Sequence, residues 1–95
     1  MIRVLDTADG RLNNHRMLRG IQIRLSRLAV GWSQAELADR AHLSIATIQR
    51  AEGAEDGPPR ITYSNMLAIR RALEDAGISF IEDEANPGIR WRMIP

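Results

Sequence analysis

The sequence contains no cysteine, so neither a disulfide framework nor a thiolate metal site can form. Its two histidines, His15 and His42, stand too far apart in the chain to suggest a paired ligand set, and no metal is expected. No apolar run approaches the roughly 20 residues that a membrane-spanning helix needs. Residues 1–10 mix Arg3, Asp6 and Asp9 with a few apolar residues, which is not the continuous apolar stretch of a secretory signal. A cytoplasmic protein without a membrane partner is expected. The chain also lacks a glycine-rich phosphate loop beside a strand, a nucleophile spaced to meet a base, and a cluster of metal ligands. No catalytic residue and no cofactor follow from it, and an enzyme is not expected.

Lysine is absent too, and all thirteen basic residues are arginine. The guanidinium is always charged and its planar fork bonds phosphate or base edges bidentately. The net charge of +1 hides an asymmetry: residues 1–50 hold eight arginines against four acids (+4), and residues 51–95 hold five against eight (−3). An arginine-rich composition is also what codon bias would produce, so composition alone does not specify a nucleic-acid partner. A length of 95 residues, 44% hydrophobic and 26% charged, suits one soluble domain with one modest core.

Residues 1–19 hold Ile2, Val4 and Leu5, which could form a short strand, and turn signals at Asp9-Gly10 and Asn13-Asn14. They are read as an N-terminal arm. From Gly20 onward Ile21, Leu25, Leu28 and Ala29 recur at helical spacing, with Arg24 and Arg27 between them and Gly31 as a stop. The strongest local signal follows. Ser33 and Glu36 form an S-x-x-E capping box flanked by Trp32 and Leu37 at the positions of a hydrophobic staple, so a second helix starts at Gln34. It ends near Arg40 or Ala41, because Ser44 caps a third helix over residues 45–52, with Leu43 and Ile48 as its staple pair and Gly53 as its end. The Gly57-Pro58-Pro59 run imposes an extended linker. Thr62 caps a fourth helix whose stripe of Met66, Ile69, Ala72, Leu73 and Ala76 stops at Gly77. Residues 78–82 and 89–93 are β-rich and predict a hairpin, since Ile89, Trp91 and Met93 alternate with Arg90 and Arg92 and Asn86-Pro87-Gly88 supplies turn chemistry.

Two short helices separated by a three-residue turn match a helix-turn-helix arrangement, with small Ala38 at the crossing and Leu37, Ala41, Leu43, Ile48 and Ala51 facing inward. The run Trp32-Ser33-Gln34-Ala35-Glu36-Leu37-Ala38, then Leu43-Ser44, then Ile48 to Glu52-Gly53, resembles the Cro/phage-repressor type of regulators, the XRE family, over about residues 20–77. The pattern Ala76-Gly77-Ile78, Phe80 and Gly88-Ile89-Arg90 is similar to a small bacterial subgroup of it. The resemblance implies a mainly α, lambda-repressor-like bundle of four to five helices with a C-terminal β-hairpin over residues 78–95. It also implies a dimeric regulator, a repressor above all, whose third helix enters the major groove of double-stranded DNA.

On that helix the inward residues leave Ile45, Ala46, Gln49 and Arg50 on the opposite face. Arg50 could read guanine, Gln49 adenine, and Ile45 or Ala46 a thymine methyl. Gln34 and Thr47 are expected to contact the phosphate backbone, Gln34 from the positive end of the second helix, and Ser44 is counted among the DNA-binding residues. Related repressors carry a buried ion pair at the positions of Arg27 and Glu52, and the resemblance implies one here. The alternative leaves Arg27 as an exposed phosphate contact. His42 fills a turn position where glycine is usual, so a left-handed backbone is expected at a residue with a Cβ. Phe80, Ile89, Trp91 and Met93 are expected to cover the fourth helix or to form a dimer interface, two readings that are compatible. Two alternatives stay open: an antitoxin that binds a toxin partner as well as DNA, and a protein-interaction adaptor that kept the fold after losing DNA contact.

Overall fold

The computed structural model describes residues 18–81, 83, 85 and 87–92. Met93 and most of the proposed arm therefore lie outside the described residues. Four helices follow one another: α1 (Gly20–Ala29), α2 (Gln34–Ala41), α3 (Ile45–Gly53) and α4 (Tyr63–Asp75). Two strands, β1 (Ile78–Ile81) and β2 (Gly88–Trp91), then close the chain.

The starts of α2, α3 and α4 lie where a short polar side chain can satisfy an orphan amide. Ser33 Oγ accepts the Glu36 amide at 3.0 Å while Glu36 Oε1 accepts the Ser33 amide at 2.8 Å, which completes the capping box at α2. Ser44 Oγ accepts the Thr47 amide at 3.1 Å at α3, and Thr62 Oγ1 accepts the Asn65 amide at 3.1 Å at α4. The stops are equally local. Gly31, at φ 78°, follows α1, and His42 takes the left-handed region at φ 59°, where it lets the Leu43 amide return to the Ala38 carbonyl at 2.8 Å. The expected left-handed turn at His42 is present.

The core is one cluster in which Ile23 of α1, Leu37, Ala38 and Ala41 of α2, Ile48 and Ala51 of α3, and Met66, Ile69, Ala72 and Leu73 of α4 meet. Leu43 packs against its edge. In α1 the apolar residues at helical spacing do not all face the core: Leu25 is 46% exposed and Leu28 58%, Ile21 and Ala29 are half-buried, and Gly20, Gln22, Ile23 and Ser26 are buried. The helix crosses α3 so closely that a Cβ on Gly20 would stand 2.6 Å from the Ala51 carbonyl oxygen and 2.7 Å from the Glu55 amide nitrogen. Only small residues fit that contact, so the bulky leucines turn to solvent.

The strands form an antiparallel hairpin with Ile78 opposite Trp91 and Phe80 opposite Ile89, residues that therefore share a face. Strand β1 packs on α4 and β2 on α1. Ile78 and Phe80 are buried in the core and Ile89 is half-buried against it, so the hairpin lies over the helices. Phe80 takes the expected place over the fourth helix: it is buried in the subunit, with the Arg70 guanidinium 5.5 Å from its ring centroid. Trp91, by contrast, remains 45% exposed.

A side chain that the sequence analysis did not single out holds this lid. Gln22 Nε2 donates to the Gly88 carbonyl at 3.0 Å and lies 3.4 Å from the Ile81 carbonyl, and its Oε1 accepts the Arg19 amide at 2.8 Å. One buried amide thus joins the start of α1 to the hairpin.

Candidate nucleic-acid interface

The turn of residues 42–44 sets α3 against both α1 and α2. Thr47, Ile48, Ala51 and Glu52 are buried on its inner side, and Ile45, Ala46, Gln49 and Arg50 are exposed together on its outer side. That outer face is the one the sequence analysis assigned to base reading. Its hydrogen-bonding capacity is concentrated in Gln49 and Arg50, because Ile45 and Ala46 offer only apolar contact.

Both ends of α3 are tied down. At its start Ser44 Oγ and Thr47 Oγ1 lie 2.9 Å apart, and Arg50 Nη2 reaches Thr47 Oγ1 at 3.5 Å. At its far end the first amides of α1 cap the chain leaving α3: Ile21 N donates to the Glu55 carbonyl at 2.6 Å and Gly20 N to the Gly57 carbonyl at 3.1 Å. Arg19 Nη1 adds a bond to the Asp56 carbonyl at 2.7 Å. Glu55, between these contacts, has φ 54°.

Beneath α3 sits an ionic hub. Glu52, 1% exposed, accepts Arg27 Nε at 2.6 Å on Oε2 and Arg27 Nη2 at 3.1 Å on Oε1, a bidentate pair joining α1 to α3. Arg27 Nη1 also donates to the Trp32 carbonyl at 2.9 Å. The expected pair therefore exists, and Arg27 is not a free surface cation. Two further groups converge that the sequence analysis did not connect to it: Gln34 Nε2 donates to Glu52 Oε1 at 3.2 Å, and Arg24 Nε lies 3.8 Å from the same oxygen. Gln34 is half-buried, and one of its amide hydrogens is already committed to Glu52. Thr47, expected to contact phosphate, is more deeply withdrawn, 7% exposed.

The structure adds a groove. Arg50, Arg60, Ile61, Thr62 and Asn65 line an open cavity of about 430 Å³ between the end of α3 and the start of α4. Its lining includes two arginines, a threonine and an asparagine, and no acidic residue. The sequence carried a usable signal for this, since Pro58-Pro59 holds the chain extended up to Arg60 just ahead of the Thr62 cap. Among the described residues no group of three histidine or acidic side chains is placed to hold a metal ion, and no helix is long and apolar enough to cross a membrane.

A family model described as a helix-turn-helix domain matches residues 20–76, the span from the start of α1 to the end of α4. Comparison with curated proteins returns no match. The paired helices α2 and α3, the exposed outer face of α3 and this match agree, and DNA is the partner to which such a domain points. The chain belongs to the helix-turn-helix domain family.

Proposed function

We propose that the protein is a sequence-specific regulator of the XRE type that binds double-stranded DNA and represses by occupying its operator, with α3 in the major groove. The observation that carries this reading is the division of α3 into an inner side locked in the core and an outer side bearing Ile45, Ala46, Gln49 and Arg50. Arg50 reads guanine through O6 and N7, a contact worth about 1–3 kcal/mol of discrimination, and Gln49 reads adenine. Ser44 and Gln34 address phosphates beside the groove, Gln34 with the amide hydrogen that Glu52 does not hold. Arg60, Thr62 and Asn65 extend the phosphate-contacting surface to the start of α4, which the two arginines of the groove support.

Two copies act together on an operator with two half-sites about one helical turn apart. Trp91, exposed at the end of β2, and Leu25 and Leu28, exposed on α1, supply apolar surface that a second copy would cover. Sedimentation at tens of micromolar, with and without DNA, tests this: a monomer in both conditions refutes dimerisation.

The DNA reading is tested by titrating salt into complexes with random and with selected duplexes, comparing wild type with Arg50→Ala. Binding that weakens steeply with salt, and a variant that binds both duplexes alike, is the expected result. A wild type that binds neither duplex at low salt would overturn it and favour the protein-interaction adaptor.

A further inference from the structure

We infer that Thr47 is a positioning residue that sets the guanidinium of Arg50 for base reading through a directed chain of hydrogen bonds, an inference that rests on the role proposed for Arg50. Three side chains, Ser44, Thr47 and Arg50, recur every third residue along one flank of α3, so they follow one another up the helix. Their contacts are 2.9 Å from Ser44 Oγ to Thr47 Oγ1 and 3.5 Å from Thr47 Oγ1 to Arg50 Nη2.

The direction of the chain follows from counting donors. Arginine can only donate, so Thr47 Oγ1 accepts from Arg50. Ser44 Oγ already accepts the Thr47 amide. Between the two hydroxyls one hydrogen must point toward the other oxygen, and burial decides which. If Ser44 donated, Thr47 would accept twice and its own hydrogen would be left without a partner in a buried site, an unsatisfied donor that destabilises the fold. If Thr47 donates, Ser44 accepts twice and its own hydrogen points to solvent, where Ser44 is exposed. The second arrangement satisfies every buried group. Each bond in it polarises the next: Arg50 donates to Thr47, Thr47 to Ser44, and Ser44 outward to an acceptor. A backbone phosphate oxygen is such an acceptor, and it would strengthen the hold on Arg50 when DNA is bound.

The hydroxyl of Thr47 therefore acts on specificity without touching DNA. The test compares wild type, Thr47→Val, Thr47→Ser, Arg50→Ala and the double variant Thr47→Val/Arg50→Ala. Each is measured on a duplex selected by the wild type and on random-sequence duplex of the same length, alongside thermal melting. Valine keeps the shape and removes the hydroxyl. Thr47→Val should lose about three- to tenfold of the ratio of selected to random affinity, the worth of one hydrogen bond, while melting as a folded domain. Thr47→Ser should restore the ratio, and in the Arg50→Ala background the valine should cost nothing further. A folded Thr47→Val that keeps the full ratio overturns the inference, and so does an equal loss with and without Arg50. If Thr47→Val does not fold, Thr47→Ala takes its place, with the same loss expected and the same retained ratio overturning the inference. An Arg50→Ala variant that keeps its sequence preference instead removes the base-reading role itself, and Thr47 positioning falls with it.

Discussion

Replacing Arg27 by alanine is the perturbation that probes the scaffold under α3 most directly. The substitution deletes three hydrogen bonds, two of them charge-assisted to Glu52 and one to the Trp32 carbonyl. It leaves the Glu52 carboxylate 1% exposed, with Gln34 at 3.2 Å and Arg24 at 3.8 Å as its remaining partners. Arg27 itself is 12% exposed, so the pair is buried on both sides, and removing one member of such a pair costs about 3–5 kcal/mol. Arg24 is 42% exposed and can move closer to Glu52, which argues for the lower end, about 3 kcal/mol. A domain of this size has a stability of roughly 5–10 kcal/mol, so that loss takes a third or more of it. For a small domain each kcal/mol lowers the melting midpoint by about 4–8 °C, which places the expected drop above about 12 °C. Urea unfolding followed by circular dichroism measures the free energy, and Trp32, whose carbonyl loses its partner, reports locally by fluorescence. A double variant Arg27→Met/Glu52→Met, which removes both charges and keeps apolar volume, should recover most of the loss, because an apolar pair avoids the desolvation that the ion pair must overcome. Arg27→Ala unfolding within about 1 kcal/mol of wild type would refute the assignment of the pair as a principal stabiliser.

Three further substitutions test separate parts of the fold. His42→Gly should raise stability by about 1 kcal/mol in thermal melts, since φ 59° strains a residue with a Cβ and leaves glycine unstrained. Gly20→Ala should destabilise by about 1–3 kcal/mol despite alanine's higher helix propensity, because the new Cβ meets backbone of α3 at 2.6 Å and of the following turn at 2.7 Å; a melting midpoint at or above wild type would show that α1 can retreat. Gln22→Leu should loosen the hairpin by removing the bond from the Gln22 amide to the Gly88 carbonyl and its link to the Arg19 amide, seen as faster hydrogen exchange at β1 and β2 amides while the α4 core amides stay protected.

What could be read from sequence was what is decided within a few residues. The caps at Ser33, Ser44 and Thr62 and the stop at Gly31 are local contacts between a residue and its own stretch of backbone, so they announced the boundaries of α1 to α4. The outer face of α3 followed from them, since a helix start and two inward residues fix where Gln49 and Arg50 point. The orientation of α1 was not local. Leu25 and Leu28 carry the apolar period, but the buried phase was set by the close approach of α3 to Gly20, which small residues permit and hydrophobicity does not reveal. The role of Gln22 in holding the hairpin is not legible locally for the same reason: its bond to the Arg19 amide is three residues away, but its hairpin partners are 59 and 66 residues away. Thr47 shows the limit from the other side. A threonine close to a serine cap looks like a phosphate contact, and only the structure shows its hydroxyl held between Ser44 and Arg50.

The same packing keeps the exposed face and the stabilising contacts on separate sides of one short helix. An isolated helix of nine residues would not hold its shape in water, so α3 depends on contacts to stay helical. Those contacts come from below and from both ends: Ile48 and Ala51 in the core, Glu52 in the ionic hub, Ser44 at the start and the amides of α1 at the finish. None of them draws on Ile45, Ala46 or Gln49, and Arg50 contributes only its long contact to Thr47. The outer face can thus change its side chains with little effect on the fold, whereas removing Arg27 or Glu52 alone, or adding a Cβ at Gly20, is felt by the whole domain. The residues from Ile45 to Glu52 divide accordingly between an exposed face and a supporting one, the division on which the proposed reading of DNA rests.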